Sequence, residues 1–174
     1  EILDDSNPKF LFYQKHFSES CNELIKNKYF NRNQLLCIDD NSYNNPKAYK
    51  KIISKHKKTE EITFNTNINN KWSLMYTSGT TGKPKGVVRD HKGYYLLALI
   101  TAIELSIKKK DKALLVMPLC HANSFNFFCA YIYSGASVFI YSKRSFDCKS
   151  FFEKLSSECC TFTSLVPTHY ILIL

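Results

Sequence analysis

Three of the five glycines in this chain of 174 residues, Gly79, Gly82 and Gly86, fall between Tyr76 and Val87. They stand in the uninterrupted stretch Tyr76-Thr77-Ser78-Gly79-Thr80-Thr81-Gly82-Lys83-Pro84-Lys85-Gly86-Val87. A strand-like apolar run, residues 72–76, leads in, and the β-branched pair Val87-Val88 leads out. Glycine admits backbone conformations and close approaches that other residues resist. Several peptide N–H groups then turn toward one anion and form a concave nest. Thr77, Ser78, Thr80 and Thr81 add hydroxyl donors, and Lys83 and Lys85 add positive charge. The composition is that of a phosphate loop. A Walker motif is excluded, because Thr77 stands where its first glycine belongs and Pro84 where its hydroxyl belongs. Pro84 also biases Lys83 toward an extended backbone, so no helix opens after the lysine. The competing reading is a glycine-rich hairpin turn that binds nothing, which requires neither four hydroxyls nor two lysines.

The rest of the chain alternates short apolar runs with helical patterns. Residues 10–13 and 35–38 read as strands, the first as a short buried one. Between them, a helix capped by Ser18 runs to about Lys28, with Cys21, Leu24 and Ile25 on its apolar face. Asn45-Pro46 opens a further helix to about His56, burying Tyr49, Ile52 and Ile53. Residues 57–71 are polar and read as a surface connection. Asp90 caps a helix over 92–106, apolar nearly all round and therefore deep in the fold. Residues 113–117 form a continuous apolar strand of the kind that parallel sheets bury on both faces. A helix over 122–133, a strand over 138–141, a helix over 149–156 capped by Asp147, and a strand over 161–165 follow, ending at a Val166-Pro167 turn. This alternation predicts an α/β fold with mostly parallel sheets flanked by helices.

Composition narrows the function classes. At 44% hydrophobic and 14% aromatic residues the chain is globular, not disordered. The net charge of +9 is mostly lysine spread along the sequence, with scarce arginine and no nucleic-acid motif, so it reads as a solvated surface and not a nucleic-acid partner face. None of the 7 cysteines stands in a CxxC pair or at metal-ligand spacing, which assigns no metal ligands and predicts reduced, buried thiols in a cytoplasmic protein. The longest apolar run, residues 94–103, is too short to span a bilayer. In open α/β sheets ligands gather beyond the C-terminal strand ends. Three segments fit that place: the glycine-rich loop, Pro118-Leu119-Cys120-His121, and Val166-Pro167-Thr168-His169. Read from the residues alone, His121 is a ligand-facing group or a hydrogen-bonded cap of the next helix, Arg89 is a phosphate partner or a surface charge, and His169 receives no role.

The stretch from Tyr76 to Val87 resembles the signature of the adenylate-forming superfamily, which includes acyl-CoA synthetases, luciferases and peptide-synthetase adenylation domains. Pro118-Leu119-Cys120-His121 is similar to a second core motif of its acyl-CoA synthetases, usually Pro-Leu-x-His. The resemblance runs from about Trp72 to Leu174, while residues 1–71 match only in their β-α-β-α rhythm. It implies a part of the large AMP-binding N-terminal domain, residues 1–174, cut short before a later Tyr-Gly-x-Thr-Glu motif, a ribose-binding aspartate and a small C-terminal domain. It also implies ATP-dependent activation of a carboxylic acid, of fatty or other apolar acyl type, to an acyl-adenylate. Coenzyme A is then the thiol acceptor and Mg2+ accompanies the phosphates. By carry-over, Thr77, Ser78, Gly79, Thr80, Thr81, Gly82, Lys83 and Lys85 bind nucleotide. Lys85 and His121 act in catalysis, with His121 at the carboxylate and Phe125 near the acyl tunnel. Cys120 becomes a wall thiol and no nucleophile. Amino-acid or luciferin-type adenylation, and an inactive nucleotide-binding fragment, are the alternatives.

Overall fold

The computed structural model describes residues 1–40, 48–55, 66–79, 82–143 and 145–174. The chain divides into two units, Glu1–Asn65 and Thr66–Leu174. The first contains α1 (Ile2–Ser6), β1 (Leu11–Tyr13), α2 (Ser18–Lys26), β2 (Leu35–Cys37) and α3 (Tyr49–Lys55). β1 and β2 pair in parallel, with Leu11 opposite Leu35 and Tyr13 opposite Cys37. Leu11 and Tyr13 pack with Cys21, Leu24 and Ile25 of α2 around buried Phe30 and Leu35. The period-two alternation of a strand turns Phe12 the other way, and it is 55% exposed, so β1 is half-buried and not buried as its composition suggested. Ser18 does not cap α2. Phe17 holds the cap position, and the Ser18 hydroxyl donates back to the Lys15 carbonyl of a preceding 3-10 turn. The predicted Asn45-Pro46 opening and His56 lie outside the described residues. In α3, Tyr49 and Ile53 are exposed, because only Ala48, bridged to Cys37, is buried against β2.

The second unit contains β3 (Lys71–Thr77), β4 (Lys85–Asp90), α4 (His91–Glu104), β5 (Lys112–Leu115), α5 (Ala122–Tyr133), β6 (Ser137–Ile140), α6 (Cys148–Ser157), β7 (Phe162–Ser164) and α7 (Pro167–Ile173). β5 lies at the centre of a parallel sheet of order β6-β5-β7. Ala113, Leu114 and Leu115 are at most 1% exposed. Alternation sends Ala113 and Leu115 to one face, where Tyr131 of α5 covers them. Leu114 and Val116 go to the other, against Phe151 of α6 and Tyr141. The apolar run predicted this burial on both faces. β3 and β4 are the exception to parallel pairing, since a short connection can return only antiparallel.

Asp90 and Asp147 cap α4 and α6 as expected, accepting from Gly93 N–H at 2.6 Å and Ser150 N–H at 3.2 Å. α4 is not deep. Tyr94 and Ala98 are buried, whereas Leu96, Ile100 and Ile103 are exposed, the last at 68%. An all-round apolar helix is covered only where neighbours stand, and α4 packs on α5 and β4. Of the polar connection, residues 66–71 are exposed and Lys71 already belongs to β3. α7 replaces the expected turn, with Pro167 in its first turn and Val166 as cap.

α4, α5 and α6 end alike. Ser106, Gly135 and Cys159 take left-handed backbones. In each, the next residue's N–H reaches back to the carbonyl of Ala102, Tyr131 or Leu155. That placement leaves Cys159 exposed. Cys120 is exposed too, so the expectation of buried thiols fails for both. Burial pushes the thiols of Cys21, Cys37, Cys129 and Cys160 up, away from the reactive thiolate. No helix among the described residues is long and apolar enough to cross a membrane.

Leu114→Ala should destabilise the fold by about 2–5 kcal/mol, read from urea unfolding, the range for emptying a packed leucine site. A second expectation concerns acid. The Lys143 ammonium, at 2.9 Å, and the Ser150 N–H hold the Asp147 carboxyl below its ordinary value. Its contribution is therefore complete above pH 3.8 and is lost as pH falls through the depressed folded value. Asp147→Ala should lower the unfolding midpoint at neutral pH and narrow its gap to the native chain in strong acid.

Candidate active site

β3 and β4 form a hairpin whose loop is the glycine-rich stretch. Tyr76 faces Gly86 and Thr77 faces Lys85 across the pair. Directly opposed residues send their side chains to the same face, so a hydroxyl and an ammonium leave together at the mouth of the loop. Gly79 and Gly82 have φ of +60° and +78°, and Gly82 N–H donates to the Gly79 carbonyl at 3.4 Å. A methyl on Gly79 would run into the Lys83 carbonyl oxygen. Gly86 has a different reason to be glycine. Its φ is ordinary, but a Cβ there would lie 2.8 Å from Leu74 Cδ1 and 3.3 Å from the Tyr76 ring. Thr77, Ser78, Gly82, Lys83 and Lys85 are exposed and Gly79 is half-buried. Among the described residues neither lysine is paired with a carboxylate. Thr80 and Thr81 lie outside the described residues.

The centre of the parallel sheet supplies the second group. The chain leaves β5 through a turn closed by His121 N–H donating to the Pro118 carbonyl at 2.9 Å. His121 then stands as the N-cap of α5, its Nδ1 accepting from Asn123 N–H at 3.3 Å. The capping role is thus real. It also fixes the tautomer, because an accepting Nδ1 places the ring proton on Nε2. His121 is exposed, so that N–H remains a donor for a ligand.

Aromatic stacking joins the hairpin to this helix. Phe125 stacks on Trp72 of β3 at 5.3 Å and meets Tyr94 of α4 edge-on at 5.2 Å. Beside it lies a cavity of about 390 Å³ walled by Ser73, Leu74, Met75 and Tyr76 of β3 and by Leu119, Cys120 and Phe125. A smaller cavity of about 230 Å³ is shared by Thr77, Val87, Arg89, Tyr94 and Ala122. Thr77 from the loop mouth and Ala122 beside His121 therefore face one space. Arg89 lines that cavity, four positions along β4 from Lys85, or roughly 13 Å at strand rise. His169 stacks on Phe146 at 4.4 Å in a third cavity of about 310 Å³ with Met117, Tyr141 and Lys143, its Nδ1 buried without a partner. Sequence reasoning missed Asn123, whose side chain donates to Ser164 Oγ at 2.9 Å. The only local signal was its place two residues after His121.

Against known proteins, the family model for the AMP-binding enzyme matches residues 1–174. A 2-succinylbenzoate–CoA ligase of Bacillus licheniformis is 30% identical over 96 residues, covering 55% of this chain and 20% of the relative. The corresponding ligase of Listeria monocytogenes is 27% identical over 121 residues, covering 70% and 26%. Among solved structures, o-succinylbenzoate coenzyme A synthetase from Bacillus subtilis, in complex with ATP and magnesium ion, superposes at a TM-score of 0.76 with 25% identity, covering 99% of this chain and 32% of that one. A long-chain-fatty-acid–CoA ligase from Archaeoglobus fulgidus shares the fold at a TM-score of 0.83 with 21% identity, covering 99% and 33%. The chain spans between a fifth and about a third of the length of these proteins.

As a test of whether this loop takes a nucleotide's phosphates, Gly79→Ala is expected to weaken AMP binding about tenfold or more, because the left-handed backbone strain of roughly 1–2 kcal/mol adds to the clash with Lys83. Gly82→Ala carries only the backbone strain, with open space around it, and should cost less. Calorimetric titration with AMP compares the two.

Proposed function

Because the chain belongs to the AMP-binding enzyme family, we propose that the protein carrying it activates a carboxylic acid with ATP and transfers the acyl group to coenzyme A. A carboxylate oxygen bonds to the α-phosphorus as the bond to the bridging oxygen breaks, and pyrophosphate leaves. The thiol of coenzyme A then loses its proton and bonds to the acyl carbon, releasing AMP. Negative charge gathers on the departing pyrophosphate, so catalysis is chiefly positioning and electrostatic stabilisation.

The single observation that carries this reading is the shared space between Thr77 at the loop mouth and Ala122 beside His121. It gives ATP, with its phosphates at the hairpin, and the acid, with its carboxylate beside the helix start that bears His121, a common space in which to react. Thr77, Ser78, Thr80 and Thr81 supply hydroxyls, Gly79 and Gly82 the open backbone, and Lys83 and Lys85 the charge. Lys85 stabilises the leaving phosphates. The Nε2–H of His121 donates to a carboxylate oxygen and holds it for attack. The donors at the loop are hard oxygens, which suit Mg2+ already carried on the nucleotide's phosphates. When bound, the ion neutralises phosphate charge.

For the acid, the wall of Leu74, Met75, Leu119 and Phe125 supports an apolar acyl group. The flat stack of Phe125 on Trp72, and the 2-succinylbenzoate ligases among the relatives, favour an aromatic acid over a long fatty chain. Exposed Cys120 is a wall group, since the reacting thiol belongs to coenzyme A.

ATP–pyrophosphate exchange with a panel of aromatic and aliphatic acids tests the proposal in the whole protein. Lys85→Ala and Thr80→Val should each slow exchange by about tenfold to a thousandfold, the scale of losing one preorganised donor. His121→Ala should depress acyl-adenylate formation while ATP affinity stays near normal. Wild-type exchange in all three variants would remove these residues from the chemistry.

A further inference from the structure

We infer that Asn123 is a positioning residue that holds His121 in register with the parallel sheet through Ser164, an inference that rests on the reading of His121 given above. The geometry is a closed circuit. Leu115 at the end of β5 is paired with Ser164 at the end of β7. From Leu115 the chain passes through the 118–121 turn to His121, whose Nδ1 accepts from Asn123 N–H at 3.3 Å. The Asn123 side chain returns to Ser164 Oγ at 2.9 Å and closes the ring.

Without that return, the ring of His121 would hang on a helix end. The first turn of a helix has orphan N–H groups and is where fraying begins. A single cap bond at 3.3 Å sets the tilt of the imidazole only as well as the N–H of Asn123 is itself fixed. The tie to Ser164 fixes it to β7, and through the sheet to β5. Reversing the amide leaves the tie in place, with the Ser164 hydroxyl then donating.

Docking of α5 onto the sheet does not depend on this bond. Phe127 and Tyr131 both contact Phe162 of β7, at 4.8 and 5.7 Å, and Tyr131 sits in the core with Ala113 and Leu115. Loss of the Asn123–Ser164 bond should therefore leave the helix seated and release only the orientation of its first turn.

The test uses the whole protein with Asn123→Ala, Ser164→Ala, both together, and Asn123→Ala combined with His121→Ala. Acyl-adenylate formation is followed in single turnovers, with ATP affinity and thermal midpoint measured separately. Each single variant should slow adenylation about threefold to tenfold, the scale of one neutral hydrogen bond, with ATP affinity unchanged. The Asn123/Ser164 double variant should be no slower than the worse single one, because both remove the same link. On the His121→Ala background, Asn123→Ala should add nothing. Single variants within about twofold of wild type, multiplying losses in the double variant, or further loss without the histidine would each overturn the inference. If His121→Ala alone is as fast as wild type, the reading of His121 fails and this inference falls with it. If only the Asn123 and Ser164 variants are wild-type, that reading stands and this inference alone is lost. Ser164→Ala, which leaves α5 untouched, keeps the test decisive should Asn123→Ala fail to fold.

Discussion

The burial of β5 on both faces is the constraint on which the second unit depends. Its residues alternate between two covering layers, Ala113 and Leu115 toward α5, Leu114 and Val116 toward α6. A slip of one residue would exchange those layers and set Ala113 where Leu114 belongs. The strand is therefore pinned along its axis, and so is the point at which it ends. Everything C-terminal to it inherits that accuracy: the 118–121 turn, the cap of α5, and the imidazole that the cap orients.

The hairpin contributes accuracy of another kind. Its two strands bring Thr77 and Lys85 together by antiparallel pairing, and its loop keeps left-handed Gly79 where a side chain would collide with the Lys83 carbonyl. The aromatic stack of Trp72, Tyr94 and Phe125 then fastens this hairpin to α4 and α5. The glycine-rich loop and His121 are thus carried on separate elements, with apolar contact between their supports.

Much of this was legible in the residues because the relevant interactions are local. Asp90 and Asp147 are capping residues directly before helical patterns, and both cap. Residues 113–116 are continuous and apolar, and they are buried. Ser18 misled for the same local reason: its hydroxyl had a second acceptor, the Lys15 carbonyl. Depth was harder. The composition of α4 states that it would be covered if neighbours existed on every side, yet Ile103 is 68% exposed. The antiparallel return of β4 and the helical start at Pro167 were both present in the sequence, in the shortness of the loop and the place of the proline. Of the candidate site, the glycine-rich loop stood out by its residue types, whereas the residues alone left His121 open between a helix cap and a ligand-facing group, and only the family resemblance assigned it a role. The bond from Asn123 to Ser164 joins positions far apart in the chain, and no local pattern announces such a pair.

α5 is closed at both ends, by His121 at its start and by left-handed Gly135 after its finish. Its 12 residues thereby become a ruler. Each residue added or removed between the two caps would rotate one end against the other by about 100°. Phe125 would then leave Trp72, or Tyr131 would leave the core. Strand β6 begins two residues after Gly135, so no slack follows in which such a rotation relaxes. Variation along this segment is consequently confined to exchange of side chains at constant length, and the phase of the helix, more than any one residue in it, is what must be inherited.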